Sequence, residues 1–397
     1  MKKTLQRCLC LALSACLLAG ACLAAIPTGD QLAPEQATPS AALSGISAPS
    51  AILMEEGGQV LYEKDADTPR EPASVTKIMT MLLVMEALDS GKLALTDMVT
   101  ASAHATSMGG SQVYLKEHEQ MTVEDMLKSV AMASANDCAV ALAEHLAGTE
   151  EAFVALMNER AAQLGMENTH FVNCNGLPAE GHVTTARDIA LMSRELLKHD
   201  QIFAYTTLWM DSVRDGAFGL TNTNRLIRTY QGMNGLKTGY TTAAGYCLSA
   251  TAERDGLSLI AVVMGAASAD ARNADVTAML NYGFANYQAV TITTDRPIMP
   301  VPVQLGVQGS VLCQLQSQGP LVMEKSKVGA LEKDLVMAEK LQAPVQQGQQ
   351  VGTLHLTANG EEVAAVPIVA AEAVEKQGVL SLFCQLLRTC CMRQAQG

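Results

Sequence analysis

The sequence predicts an α+β fold, in which one antiparallel sheet is covered by helices, followed by a small all-β domain. Strand-like segments lie near residue 55 and again near residue 255, and a block of helices lies between them. After residue 287 the pattern changes to short β-like segments separated by Gly and Gln turns. With 397 residues, of which 49% are hydrophobic, the chain is long enough for two cores.

The N-terminus is typical of an export signal. Residues 1–25 combine a basic start, an apolar run over residues 8–23 and small residues at the end of that run. Residues 26–47 are rich in Pro, Ala, Thr and Ser and are predicted to be a linker. An uncleaved anchor and a lipid-modified Cys22 remain alternatives. In each case we expect the mature protein to be exported, at the extracytoplasmic face of the cell membrane.

The first folded domain is predicted to span residues 48–287. Thr122 and Thr185 are each followed three residues later by an aspartate, a pattern that predicts a helix N-cap. Residues 93–110 and 171–183 are expected to be irregular. The regular elements predicted are strands at 51–55 and 59–63, a helix from Ser74 to the stop signal at 89–92, helices at 123–132, 138–146, 151–164 and 186–197, an extended piece at 235–239, a hairpin of 246–252 with 257–264, and a helix at 274–286.

The C-terminal third is predicted to hold a β-rich domain and an anchor. Residues 288–371 contain five β-like segments, at 290–293, 301–304, 311–314, 351–356 and 363–368. Residues 372–397 contain an amphipathic stretch with its apolar side chains on one side: Leu380, Phe383, Leu386, Leu387 and Cys390. The stretch is shorter than the about 20 apolar residues that cross a bilayer. We expect it to lie in the membrane surface, with docking onto its own domain as the alternative.

Composition excludes some classes of function. The net charge of −13 and the aromatic content of 4% argue against a nucleic-acid partner. The cysteines beyond the export signal show neither zinc spacing nor a compact disulfide framework. We therefore expect neither a metal nor another cofactor.

Ser74 and Lys77 are the first candidates for chemistry. They are three residues apart, so both side chains lie on one face of the predicted helix. A hydroxyl beside an amine suggests a nucleophile with its base. The alternative is a capping serine followed by a solvated lysine. The helix that Lys77 enters is almost wholly apolar, where a charged ammonium would be poorly solvated, and this favours the chemical interpretation.

Two further short motifs follow in order: residues 134–136, Ser-Ala-Asn, and residues 237–239, Lys-Thr-Gly. With Ser-Val-Thr-Lys at 74–77, they resemble the motifs of serine β-lactamases and penicillin-binding proteins. The chain resembles, more specifically, the serine-type D-alanyl-D-alanine carboxypeptidases, which are low-molecular-mass penicillin-binding proteins. The segments 168–173, 176–177, 185–188, 239–241 and 244–245 resemble that family too.

The resemblance implies a role for each motif residue. Ser74 would attack the substrate carbonyl and form an acyl-enzyme, with Lys77 as general base. The lysine pKa would have to fall from about 10.4 by about 3, at a cost of about 4 kcal/mol. Burial and a second cation, Lys237, are expected to lower it. Ser134 would pass a proton to the leaving group, and Asn136 would bind the substrate amide and steady Lys77.

The third motif is expected to bind the substrate. Lys237 and Thr238 would hold its terminal carboxylate, and Gly239 would let the substrate lie along the strand. The backbone N–H groups of Ser74 and Tyr240 would form the oxyanion hole. Arg225 would add to carboxylate binding, or Lys237 and Thr238 would act without it. His170 and His182 are expected to be packing or loop residues, whereas Arg187 is expected to pair with Asp188 or to cap a helix.

The resemblance implies a carboxypeptidase that removes the terminal D-alanine from peptidoglycan pentapeptides and binds β-lactam antibiotics covalently. A β-lactamase would need a fast deacylating base, and the loop 171–183 offers only Glu180. An endopeptidase or transpeptidase acting on cross-links is a second alternative. A wall-binding scaffold without activity is the third, and the intact motifs argue against it.

Overall fold

The computed structural model describes residues 43–316, 319–384 and 387, which form a sheet-plus-helix domain followed by an all-β domain. The predicted export signal and all but the last residues of the predicted linker lie outside the described residues. The predicted α+β class and the order of its two parts are confirmed.

A five-stranded antiparallel sheet forms the centre of the first domain, in the strand order β2-β1-β9-β8-β7. Successive side chains of a strand point to opposite faces, and here both faces are buried. Ile52 and Val262 pack into the core on one face, whereas Leu53 and Val263 pack into a second core on the other. The strands are β1 (Ser50–Glu55), β2 (Val60–Lys64), β3 (Met98–Thr100), β4 (Gln120–Thr122), β5 (Met210–Val213), β6 (Phe218–Thr221), β7 (Met233–Thr241), β8 (Gly245–Arg254) and β9 (Leu257–Ala266).

The helices of this domain agree closely with the predicted ones. Thr122 and Thr185 cap their helices, since each hydroxyl accepts a hydrogen bond from the backbone N–H three residues later, at 3.1 Å. The helix that follows Ser74 is apolar on almost every side because it passes through the core. The helical segments are Ala73–Thr76 (a 3-10 turn), Lys77–Asp89, Ala103–Thr106, Val123–Ala133, Asn136–Ala147, Glu150–Gln163, Ala186–Leu197, Asp200–Ile202 (3-10), Phe203–Thr206, Leu226–Thr229 and Ala269–Asn286.

Several short elements of this domain were not predicted, among them the helical segments Asp200–Ile202, Phe203–Thr206 and Leu226–Thr229. Residues 93–110, expected to be irregular, contain β3 and the short helix Ala103–Thr106, and β5 pairs with β6 in a separate hairpin. The partner of β3 is β4, about 20 residues further along the chain. Three-residue strands have too little alternation for a pattern to reveal, so their pairing is decided by tertiary contacts.

The second domain is built from small sheets around a core that includes Leu354, Leu356, Val366 and Ile368. Three of its strands, β14, β15 and β16, were not predicted. Along β15 half-buried residues alternate with exposed ones, and three residues of the strand are charged. Its hydrophobic pattern is therefore too weak to identify it as a strand from the sequence. The strands are β10 (Tyr287–Val290), β11 (Val301–Gln304), β12 (Ser310–Val311), β13 (Cys313–Leu315), β14 (Leu321–Glu324), β15 (Leu331–Met337), β16 (Leu341–Gln342), β17 (Gln350–Ala358) and β18 (Glu361–Ala370).

The predicted amphipathic anchor is described only in part. Residues 379–384 are helical, and the apolar side chains of Val379, Leu380 and Phe383 are exposed. Leu386 and Cys390 lie outside the described residues, so the anchor stays a prediction. Among the residues that the structure describes, no helix is both long and apolar enough to cross a membrane.

Candidate active site

The candidate nucleophile lies in a tight turn at the start of the buried helix. Ser74 is half-buried in the 3-10 turn Ala73–Thr76, and Ala73 before it has a φ of +49°, which few residues with a side chain adopt. The hydroxyl of Thr76 donates a hydrogen bond to the carbonyl of Ala73 at 2.9 Å. Gly176 faces the same carbonyl so closely that a Cβ there would lie 1.9 Å from its oxygen. The conformation of the turn is therefore fixed by the Thr76 hydrogen bond and by the close packing of Gly176 against the same carbonyl.

Lys77 is completely buried beside the nucleophile. Its Nζ lies 3.1 Å from Ser74 Oγ and donates to Asn136 Oδ1 at 2.6 Å and to the carbonyl of Asn175 at 2.5 Å. Burial lowers the lysine pKa to about 7, although Cys174 and Asp137 act in the opposite direction. The neutral amine is thus accessible near neutral pH. Burial is the cause of this shift, and the lowering expected from Lys237 is not among its causes.

The second motif lies opposite Lys77. Ser134 ends the helix Val123–Ala133 in the left-handed conformation, at φ 62°. Its side chain is buried, and its Oγ has no hydrogen-bond partner among the residues that the structure describes. Such an unpaired buried hydroxyl is rare in native structures and needs an explanation. The Nδ2 of Asn136 donates to the carbonyl of Gly109 at 2.7 Å, so the amide is oriented with its oxygen on Lys77.

Asp137 supports this motif and was missed by the sequence reasoning. Its fully buried carboxylate accepts hydrogen bonds from the backbone N–H groups of Val113, Leu115 and Cys138, at 3.0–3.3 Å. The carboxylate therefore fixes the loop that covers Asn136. The available signal was an aspartate in the first turn of the helix Asn136–Ala147, directly before the apolar run of residues 138–143.

The third motif lies on β7, at the free edge of the main sheet. Lys237 is buried, and its Nζ donates to the carbonyl of Thr238 at 3.0 Å. Burial, with repulsion from Lys77 and Arg272, holds the pKa of Lys237 well below its ordinary value. A Cβ on Gly239 would lie 3.1 Å from the backbone nitrogens of Ser74 and Val75, so a side chain there would crowd the strand against the turn that carries Ser74.

Two further residues of the predicted site lie at the rim. Tyr240 is 54% exposed, and its ring packs on that of Tyr246 with centroids 4.3 Å apart. Arg225 is exposed, two residues after Thr223, whose hydroxyl accepts a hydrogen bond from Thr238 Oγ1 at 2.7 Å. The structure thus brings the three motifs together and leaves Arg225 beside them.

Arg272 is a second residue that the sequence reasoning missed. It is buried at the start of the helix Ala269–Asn286, and its guanidinium donates to Asn273 Oδ1. Its charge contributes to the low pKa of Lys237, and the charge of Arg225 acts on Arg272 in turn. No sequence pattern around Arg272, which lies in a helix 35 residues after Lys237, indicated a functional role.

His182 is buried against the nucleophile turn. Its Nδ1 accepts the backbone N–H of Val172 at 2.9 Å, so the proton is on Nε2, which donates to Thr76 Oγ1 at 2.8 Å. Burial lowers the His182 pKa to about 4, so the ring is neutral at ordinary pH. This agrees with the expected packing role and adds an orienting hydrogen bond.

Arg187 differs from its prediction. It pairs with Glu63 and Asp67, not with Asp188. The carboxylate of Asp188 accepts instead from the hydroxyl of Thr169 at 2.7 Å. Consecutive residues of a helix point in different directions, which explains why the neighbouring charges do not meet.

Comparison with known proteins identifies two family matches along the chain. A family described as D-alanyl-D-alanine carboxypeptidase matches residues 35–268, and one described as the C-terminal domain of penicillin-binding protein 5 matches residues 288–376. D-alanyl-D-alanine carboxypeptidase DacF of Bacillus subtilis is 44% identical over 342 residues, which cover 84% of this chain and 87% of that protein.

Solved structures are similar over most of the chain. Penicillin-binding protein 5 from Haemophilus influenzae has a TM-score of 0.75 at 29% identity, covering 85% of this chain and 100% of that one. Penicillin-binding protein D2 from Listeria monocytogenes in its ampicillin-bound form has a TM-score of 0.56 at 34% identity, covering 60% and 98%.

Proposed function

The chain belongs to the family of serine D-alanyl-D-alanine carboxypeptidases, and from this premise we propose that it removes the terminal D-alanine of peptidoglycan pentapeptides through an acyl-enzyme on Ser74. The observation that carries the proposal is the buried amine of Lys77, whose Nζ lies 3.1 Å from Ser74 Oγ. A general base must lie within hydrogen-bond reach of the proton that it takes and have a pKa near the working pH. Lys77 meets both conditions.

Neutral Lys77 has two N–H groups and one lone pair. The carbonyl oxygens of Asn136 and Asn175 accept the two N–H groups, at 2.6 and 2.5 Å. The lone pair then points to Ser74 Oγ, which donates its proton as it attacks the carbonyl carbon of the penultimate D-alanine.

Ser134 is proposed to complete the proton transfer. Its buried Oγ lacks a hydrogen-bond partner in the described part of the chain. In the proposed step this hydroxyl gives its proton to the amine of the leaving D-alanine and receives one from Lys77. The carbon–nitrogen bond breaks, the ester on Ser74 remains, and water later hydrolyses that ester to regenerate the serine.

The substrate is proposed to lie along the free edge of β7. Its terminal carboxylate would meet Lys237 and Thr238, with Arg272 behind them and Arg225 at the rim. A bound carboxylate would restore the charge of Lys237, whose pKa is low because only burial and other cations surround it. The N–H groups of Ser74 and Tyr240 would hold the oxyanion.

The same nucleophile is proposed to bind β-lactam antibiotics covalently, as the ampicillin-bound form of the Listeria relative suggests. A β-lactamase is disfavoured because Glu180, the only carboxylate of the loop 171–183, is exposed. That residue lacks the buried contact with the nucleophile that a deacylating base needs.

The test is mass spectrometry of a pentapeptide ending in D-Ala-D-Ala after incubation with the protein. We expect the loss of one alanine by the wild type and none by Ser74→Ala. Labelled penicillin should attach to the wild type only. Equal labelling of both proteins would defeat the assignment of Ser74.

We further propose that the protein is exported and attached to the membrane surface by the C-terminal amphipathic stretch. The exposed apolar side chains of Val379, Leu380 and Phe383 support this proposal. Deletion of residues 379–397 should move the protein from the membrane to the soluble fraction. Unchanged sedimentation would count against the anchor.

A further inference from the structure

Two loops position the hydrogen-bond acceptors of Lys77. The carbonyl of Asn175, which accepts from Lys77 Nζ at 2.5 Å, belongs to the loop 173–177. Asn136, the other acceptor, is held by the loop 107–111, because its Nδ2 and its backbone N–H each donate to a carbonyl of that loop at 2.7 Å. The relative placement of the two loops therefore decides where the amine lies and where its lone pair points.

The loop 173–177 is shaped by its own side chains and bound to a separate helix by Glu150. The side chains of Asn173 and Asn175 accept hydrogen bonds from three backbone N–H groups of the loop, at 2.7–3.3 Å. The N–H of Cys174 is different, because it donates to Oε1 of Glu150 at 3.0 Å. Glu150 is the first residue of its helix, 24 residues earlier in the chain, so this bond fixes the loop relative to another element.

Glu150 also reaches the other loop, through His104. Its second oxygen, Oε2, lies 2.7 Å from His104 Nε2. A carboxylate only accepts, so Nε2 donates, and both the charged and the neutral imidazole can do so. His104 lies in the short helix Ala103–Thr106, which leads directly into the loop 107–111. One carboxylate therefore joins the segments that position both acceptors of Lys77.

The contacts of Glu150 are not those of an ordinary surface carboxylate. Its side chain is only 12% exposed, and both of its oxygens have partners. Without it, the N–H of the buried Cys174 would be unpaired, which is unfavourable, so the loop would shift towards another acceptor. The carbonyl of Cys174 stays bound to Thr80 Oγ1, at 2.5 Å, so such a shift would turn the loop and carry the Asn175 carbonyl with it.

We propose that Glu150 is a positioning residue of the acylation step: with His104, it fixes the two acceptors of Lys77 relative to each other and so directs the lone pair of the amine at Ser74. The proposal rests on the proposed function, because it takes Lys77 to be the general base. Glu150 itself neither gains nor loses a proton in the step. A misplacement of about 1 Å can slow a catalysed reaction about a hundredfold, so a contact outside the reacting groups can limit the rate.

The test measures acylation by labelled penicillin at pH 8, where most molecules carry neutral Lys77. Rates are expressed per active site and separated into the acylation rate constant at saturation and the dissociation constant of the non-covalent complex. In Glu150→Ala the rate constant should fall at least about tenfold, with the dissociation constant within about twofold of the wild type. Glu150→Gln should recover to within about threefold of the wild-type rate constant, because its amide oxygen still accepts from Cys174.

Two further variants complete the test. Glu151→Ala is the matched control, because it removes an exposed carboxylate from the same first turn of the helix, and it should change neither constant. His104→Ala breaks only the link to the loop 107–111 and should lower the rate constant by about threefold. Added to Glu150→Ala, it should cause no further loss, because both residues act through one contact.

The outcomes separate positioning from stability and from charge. A lower Tm with a wild-type rate constant per active site in Glu150→Ala refutes the positioning role. Equal losses in Glu150→Ala and Glu150→Gln refute it too, since they assign the effect to the charge and not to the hydrogen bond. If Glu150→Ala does not fold, a wild-type rate constant in His104→Ala overturns the proposal. A wild type that penicillin does not label refutes the proposed function itself.

Discussion

The rate at which Ser74 is acylated should follow the protonation of Lys77. Burial lowers the pKa of this lysine from 10.5 to about 7. Because each pKa unit corresponds to about 1.4 kcal/mol, the folded protein disfavours the charged form by about 5 kcal/mol. With a pKa of about 7, roughly one molecule in ten carries the neutral amine at pH 6, and roughly nine in ten carry it at pH 8.

The acylation rate should therefore rise about tenfold from pH 6 to pH 8 and change little up to pH 9. The assay is rapid-quench labelling with a labelled penicillin at saturating concentration. His182 does not titrate in this window, since its pKa is about 4. Lys77→Arg should not be labelled, because a guanidinium stays charged at every pH used.

Two results would refute this reasoning. A rate that keeps rising about tenfold per pH unit through pH 9 would mean that Lys77 has an ordinary lysine pKa. A rate that is independent of pH from 6 upward would mean that another group takes the proton of Ser74. In Lys237→Gln the midpoint should stay near pH 7, because burial is the leading cause of the Lys77 shift.

Two further predictions concern the nucleophile turn. In Gly176→Ala the new Cβ would lie 1.9 Å from a turn carbonyl, so penicillin labelling should be lost. Gly181→Ala is the control, because Gly181 also has a positive φ but its new Cβ would meet only a His170 carbon at 4.0 Å, so penicillin labelling should be retained. Equal loss of labelling in both variants would assign the effect to backbone strain at positive φ and not to the contact with the turn. His182→Phe leaves the N–H of Val172 unpaired and should lower the free energy of unfolding by about 1–3 kcal/mol in chemical denaturation. His170→Phe, at an exposed site, should leave the free energy of unfolding unchanged. If His182→Phe unfolds at the same denaturant concentration as the wild type, the orienting role of His182 is refuted.

The sequence alone predicted those contacts of the candidate site that join residues close together in the chain. Ser74 and Lys77 are three residues apart, and helical geometry alone puts them on one face. The caps at Thr122 and Thr185 were predicted for the same reason, because a cap and the N–H that it binds are neighbours in the chain. The three-residue strand β3 and the charged strand β15 were missed because their pairing partners are distant in the chain and their own hydrophobic patterns are weak.

The tertiary structure decided what surrounds those residues. Lys77 meets Asn136 and Asn175 across separations of 59 and 98 residues, and no local pattern specifies such contacts. The buried roles of Asp137, His182 and Arg272 came only from the fold, because burial and charge environment depend on every element packed nearby. The sequence by itself therefore determined which groups could react and in what order they occur. The three-dimensional packing determined that an amine loses its charge near neutral pH, since desolvation is a property of the assembled core.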